Sequence, residues 1–333
     1  MRRSLSLVCL LTMALWTVPG STARTEAEQA TVIRMATLAP AGSSWMKVFQ
    51  AWDQSLQKET NGRLKFRFYP GGSQGDERDF VRKVRVGQLD AGAVTTTGLS
   101  MLIRPVLVLV VPGLLDTYEE LDRVRAKMDS HFEEMFADSG FQLLAWGDAG
   151  KTRIFSVDKL ESPSQLKSMR VWAWKDDLIF NELYEVIGAN PIRLGVPEVY
   201  PALQTKMVDT VAASALAAVT LQWYSRVRYV TAHNTAIIVG AIFMRKDKFD
   251  ALEPDLQTAL MSTADRMEVV LNKSIRRDDQ KAYDVVRERG IVAVEAGTHK
   301  AEWEDAFRKV RERLTGRVYS KSLLQAVEQA ARE

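Results

Sequence analysis

The chain has 333 residues, with 45 basic and 42 acidic side chains and three histidines, for a formal net charge of +3. That length is large for one hydrophobic core and points to two domains. A balance so close to neutral excludes a polybasic face for nucleic acid.

Arg2 and Arg3 precede an apolar run from Leu5 to Val18, then Pro19-Gly20 and the small residues Ser21-Thr22-Ala23. This is the pattern of a secretory signal peptide, with cleavage expected after Ala23. The run is shorter than the ~20 residues that a bilayer requires. The single cysteine, Cys9, lies inside the run rather than after it, so it leaves with the leader and is not placed for lipidation. A chain without cysteine is compatible with an oxidising compartment.

Residues 31–37 read as a strand, followed by Pro40-Ala41-Gly42 and a helix cap at Ser43-Ser44. Trp45, Val48, Phe49, Trp52 and Leu56 keep helical spacing up to Asn61-Gly62. Leu64, Phe66 and Phe68 alternate with Lys65 and Arg67, as in a half-exposed strand. Asp76 opens another helix, Gly87 ends it, and 89–95 returns to strand. Such short alternating units predict parallel crossovers in an α/β sheet. The apolar run 105–115, broken by Pro112-Gly113, reads as a buried strand and turn.

Beyond residue 140, strands are expected at 141–146, 153–157, 169–174 and 208–212, with helices over 177–187 and from Val196 to Leu203. From Pro254 to Arg289 there is no glycine and no second proline. Leu256, Leu260, Ala264, Met267, Leu271 and Ile275 recur at steps of three and four, which predicts one helix of roughly 50 Å at 1.5 Å per residue, long enough to span two domains. No internal repeat or flexible linker is present, so interleaved domains are expected: 31–150 plus about 236–270, and 151–235 plus about 271–333.

The order and spacing of several segments resemble the solute-binding subunits of TRAP (tripartite ATP-independent periplasmic) transporters over nearly all of 31–290. These are Phe68-Tyr69-Pro70-Gly71-Gly72 with Asp76-Glu77-Arg78, Val84-Arg85-Val86-Gly87-Gln88-Leu89-Asp90, Glu198-Val199-Tyr200-Pro201-Ala202-Leu203-Gln204-Thr205, and Val208-Asp209. The resemblance implies a two-lobed periplasmic-binding-protein fold with an interdomain cleft, a periplasmic location, and small and large permease subunits as membrane partners. It also implies closure about strands near 150–155 and 235–245.

Leu166-Lys167-Ser168-Met169-Arg170-Val171-Trp172 is similar to the family's Leu-Lys-Gly-Leu-Lys-Ile-Arg, whose last arginine holds a substrate carboxylate. Here that position is Trp172, which has one N–H and a large apolar face in place of a planar fork of donors. Thr210-Val211-Ala212-Ala213 stands where many members read Gly-x-Glu-Asn. Both departures remove fixed donors for an anion, and they resemble a subgroup with an apolar pocket and a periplasmic tetratricopeptide-repeat partner, as do Thr37-Leu38-Ala39-Pro40 and Leu221-Gln222-Trp223. The implied ligand is hydrophobic or amphipathic. The alternative is a small organic carboxylate held by Arg153, which matches a second substrate-contacting arginine of the family, or by Arg170 if the register slips by two. A free-standing carrier or sensor is a further alternative.

Trp172 and Trp174 project to one face of a strand, into either the cleft or the core. Trp45, Thr96 and Thr97 sit at strand ends, where open α/β sheets place ligands. Tyr200, Ala213, Gln222 and Trp223 complete the candidates, with helix packing as the other role. His233 reads as structural. No Gly-x-Ser-x-Gly, His-Glu-x-x-His, Gly-x-Gly-x-x-Gly or phosphate-binding loop occurs, and no cofactor, metal site or enzymatic activity is expected.

Overall fold

A computed structural model describes residues 30–333, and the expected leader, its expected cleavage site and Cys9 lie outside the described residues. The chain begins with β1 (Thr31–Thr37), α1 (Ser44–Glu59), β2 (Leu64–Tyr69), α2 (Glu77–Arg85), β3 (Ala91–Thr95) and a single turn α3 (Thr96–Leu99). Caps act where the residue types predict them. Ser43 Oγ accepts from Met46 N at α1, and Asp76 closes a capping box with Asp79 at α2.

Next come α4 (Tyr118–Asp138) and β4 (Phe141–Ser156), then β5 (Trp172–Trp174), α5 (Leu178–Ile187), β6 (Ile192–Leu194), α6 (Val196–Gln204), β7 (Thr210–Ala213) and α7 (Ala215–Thr220). The chain ends with β8 (Tyr229–Thr231), β9 (Ala236–Arg245), α8 (Lys246–Asp250), α9 (Pro254–Glu288), β10 (Val292–Val294), α10 (Lys300–Leu314) and α11 (Lys321–Arg332).

Among the described residues one sheet has the order β10-β8-β4-β9-β3-β1-β2, with β7 also paired to β4, and β5 and β6 form a separate parallel pair. β1 runs parallel to β2 and β3, as the alternating pattern predicts. β4 and β9 are antiparallel from Phe141↔Arg245 to Thr152↔Ala236. At one end β9 pairs with β3, and at the other β4 pairs with β7 and β8, so these two strands carry the chain between the two halves of the sheet.

α9 is one helix of 35 residues, and all six of its periodic apolar residues are buried. Its contacts reach α1, β4 and α7, so it splints both halves.

Two expectations are corrected. The run from 105 is not a strand: Arg104–Val110 forms a buried 3₁₀ helix with Pro105 in its first turn, where a missing N–H costs nothing. The strands expected at 141–146 and 153–157 are one strand of 16 residues, because Gly147, Asp148 and Gly150 pair with β9 rather than forming a loop, and the ladder slips only at Leu144 and Ala149.

Candidate ligand-binding site

Between the two halves lies a cavity of about 230 Å³, a size for a small molecule rather than a polymer. The structure brings Trp45, Thr96, Thr97, Trp172, Trp174, Ala213 and Trp223 to its wall. The Trp172 and Trp174 rings stack with centroids 6.4 Å apart, and Trp223 meets Trp172 edge-on at 5.2 Å.

Three indole N–H groups are already engaged by the protein. Trp172 Nε1 donates to Leu194 O at 3.1 Å, Trp174 Nε1 to Asp76 Oδ2 at 2.9 Å, and Trp45 Nε1 to Asp148 O at 3.3 Å. What these residues offer a ligand is therefore ring surface. Phe49, Ile179, Phe180, Leu221 and Ile237 extend the apolar lining. Sequence reasoning missed them because single apolar residues in an α/β chain carry no mark that separates wall from core.

Three carboxyl groups also border the cavity. Asp148 is buried in an ion-pair cluster, 2.7 Å from Arg125 and 2.6 Å from Arg276. Asp177 caps α5, accepting from Ile179 N at 2.8 Å and Phe180 N at 3.1 Å, and burial pushes its pKa up to about 6. Glu77 accepts from Thr95 N at 2.7 Å, Gly98 N at 2.8 Å and Thr95 Oγ1 at 3.0 Å. Burial outweighs these donors and raises its pKa to about 8. Gly98 permits this approach, since a Cβ there would lie 2.9 Å from Glu77 Oε2.

Glu77 makes stability depend on pH. The folded protein keeps this proton up to about pH 8, whereas an ordinary glutamate loses it near 4.5. The folded state then binds more protons between those values, so stability falls as pH rises, by about 1 kcal/mol per unit in the middle of the window. Glu77→Gln should remove that part of the slope. Urea unfolding of both proteins at pH 6 and pH 7 checks it, and parallel slopes would show that Glu77 is ionised in the fold.

The other candidates lie elsewhere. Arg153 is buried on the opposite face of β4, its guanidinium 4.1 Å from the Tyr283 ring centre on α9, while its neighbour Thr152 faces the cavity. Alternation along the strand decides this. Arg170 is exposed and pairs with Asp209 at 3.0 Å. The Tyr200 hydroxyl accepts from Arg226 at 3.3 Å outside the cavity, and Gln222 is exposed at a left-handed turn with φ 63°. Among the residues that line the cavity there is no arginine, lysine or histidine.

Residues 35–317 match the model of a family described as bacterial extracellular solute-binding protein, family 7. The chain is 25% identical over 262 residues to the 2,3-diketo-L-gulonate-binding periplasmic protein YiaO of Escherichia coli, covering 77% of this chain and 79% of that protein. Its fold is that of the sugar acid binding protein DctPAm of Advenella mimigardefordensis, solved with galactonate (TM-score 0.85, 19% identity, 91% of this chain and 98% of the other). It is equally that of a TRAP periplasmic solute binding protein of Roseobacter denitrificans solved with β-D-glucuronate (TM-score 0.82, 21% identity, 90% and 99%). The two-lobed architecture expected from sequence is thus the observed one.

Proposed function

The chain belongs to bacterial extracellular solute-binding protein family 7, and from that membership we propose that it is the periplasmic receptor of a TRAP-type secondary transporter, taking a small organic molecule with a largely apolar body into its cleft and passing it to the membrane permease. Its lobes in this proposal are 31–150 plus about 236–270, and 151–235 plus about 271–333, and the leader preceding Arg24 directs export. The observation that carries the ligand class is the cavity wall, which indole rings line, where indole N–H groups are occupied and no cationic side chain is present. Apolar contact area then supplies most of the affinity.

The comparisons favour a second reading, in which the ligand is a small organic carboxylate. YiaO is named for 2,3-diketo-L-gulonate, and the two solved relatives hold galactonate and glucuronate. Arg153 would then leave Tyr283, or Arg170 leave Asp209, to reach the cavity. A periplasmic tetratricopeptide-repeat partner is the finest part of the proposal and rests on sequence resemblance, that of Thr37-Leu38-Ala39-Pro40, the Trp-x-Trp strand and Leu221-Gln222-Trp223 together with the departures at Trp172 and 210–213.

Native mass spectrometry of the purified protein, followed by extraction of the retained molecule, separates the two readings. The first expects an added mass that partitions into organic solvent, and calorimetric binding of that compound at least tenfold tighter than D-glucuronate or galactonate. Tight binding of either sugar acid instead establishes the carboxylate reading.

A further inference from the structure

We propose that Asp76 is a positioning residue for cleft closure, an N-cap carboxylate on one side of the cavity that grips Trp174 and the start of α6 on the other. Its Oδ2 accepts from Trp174 Nε1 at 2.9 Å and from Val196 N at 3.3 Å, partners 98 and 120 residues away in sequence. Oδ1 meanwhile accepts from Glu77 N at 2.9 Å, which fixes the carboxylate to the first turn of α2. Both cross-cleft bonds are charge-assisted, the stronger kind of hydrogen bond. The inference rests on the proposed function only in requiring that the cleft opens and closes.

Gly195 provides the independent observation. Its φ is −73°, a conformation that any residue adopts, so the backbone does not call for glycine. A Cβ at this position would lie 2.7 Å from Asp76 Oδ2, closer than real Cβ contacts come. The tightest contact of that Cβ is with the Asp76 carboxylate, and the next, Glu198 Oε2 in the same segment, is looser at 3.3 Å, so a side chain at 195 would push first against Asp76. Beside this seam Arg78 Nη2 meets Asp176 at 2.5 Å, but the arginine side chain is 58% exposed and solvent screens the pair.

The bond to Trp174 has a second consequence. Its ring forms part of the cavity wall, and Asp76 holds the indole by its N–H edge so that a face, not a donor, is turned to the ligand. The seam that closes the cleft is then the one that shapes it. Burial raises the Asp76 pKa and the Trp174 N–H opposes that shift, so a separation of the two sides rehydrates the carboxylate and leaves the indole unpartnered.

The test measures distance without any added ligand, so it is separable from the ligand assignment. Spin labels at Arg82→Cys on α2 and Glu185→Cys on α5, both exposed positions, are placed in the full chain with Cys9→Ser. Double electron–electron resonance should give a short distance in this parent protein and a shift to a longer one in Gly195→Ala and in Trp174→Phe, which removes the indole donor. A purely structural role would lower the unfolding temperature of these variants and leave the distances alone. A parent protein that shows only the long distance, or Gly195→Ala and Trp174→Phe both keeping the short one, overturns the proposal.

Discussion

Asp148→Ala is expected to lower folding stability by about 3 kcal/mol, the lower end of the cost of breaking a buried ion pair, because it strands a guanidinium inside the protein. The Asp148 side chain has no exposure and that of Arg125 has 9%. Arg125 Nη2 approaches the carboxylate at 2.7 Å without hydrogen-bond alignment, its guanidinium nitrogens make no hydrogen bond, and the group leans over Trp146, 5.8 Å from the ring centre. Arg276 binds the same carboxylate from α9 at 2.6 Å and reaches Asp122 on α4 at 2.6 Å.

One side chain on the strand shared by the two halves therefore neutralises cations from two helices. Loss of Asp148 leaves Arg276 with Asp122 but removes the carboxylate that pairs with Arg125, leaving it the Trp146 ring. Asp148→Asn should cost less, since it keeps shape and acceptor. The pair Asp148→Asn with Arg125→Met should recover part of the loss, as apolar replacements of buried ion pairs commonly do. Urea unfolding midpoints measure all three, and a change below about 1 kcal/mol in Asp148→Ala would mean that water reaches Arg125.

Trp172→Ala should weaken binding of the molecule recovered from the protein by on the order of 1–3 kcal/mol, through lost ring contact in the cavity. The same residue is only 5% exposed, packs on Trp174 and Trp223, and ties to β6 through Leu194 O. The variant should therefore also lose stability, by about 3–5 kcal/mol for a buried tryptophan truncated to alanine. Affinity has to be read below the unfolding transition. Trp172→Arg discriminates between ligand classes more sharply. With an apolar ligand it places an unpaired guanidinium in a closing cavity and should bind worse than Trp172→Ala. With a small carboxylate it supplies a planar fork of donors matched to the ligand and should bind as well as the parent or better. Calorimetry with the recovered compound and with D-glucuronate decides this, and equal affinities in parent and both variants would remove Trp172 from the site.

The strongest local signals were those repeated along one element. The steps of three and four from Leu256 to Ile275 determined α9 to within a residue or two, and Ser43, Asp76 and Asp177 marked helix starts because a short acceptor side chain suits those free N–H groups. α4 was equally legible through Thr117 and Glu120, which form a capping box, yet was not drawn from the sequence. The departure at Trp172 was visible as a residue type, and with it the prospect of an apolar wall.

What the sequence could not determine depends on which elements meet. Arg153 and Thr152 are adjacent in the chain, and only the pairing of β4 with β7 and its packing on α9 decides that threonine faces the cavity and arginine faces Tyr283. Gly147 and Gly150 resemble a loop until β9 supplies partners on both sides of them, from Phe141 to Thr152. Gly195 resembles a turn glycine until Asp76 is brought 2.7 Å from where its Cβ would be. Periodicity and capping are properties of neighbours in sequence, so the sequence alone determined them. Facing, closure and the occupied indole donors arise from residues distant in the chain, such as Asp76 and Val196, 120 positions apart, which only the tertiary structure brings together.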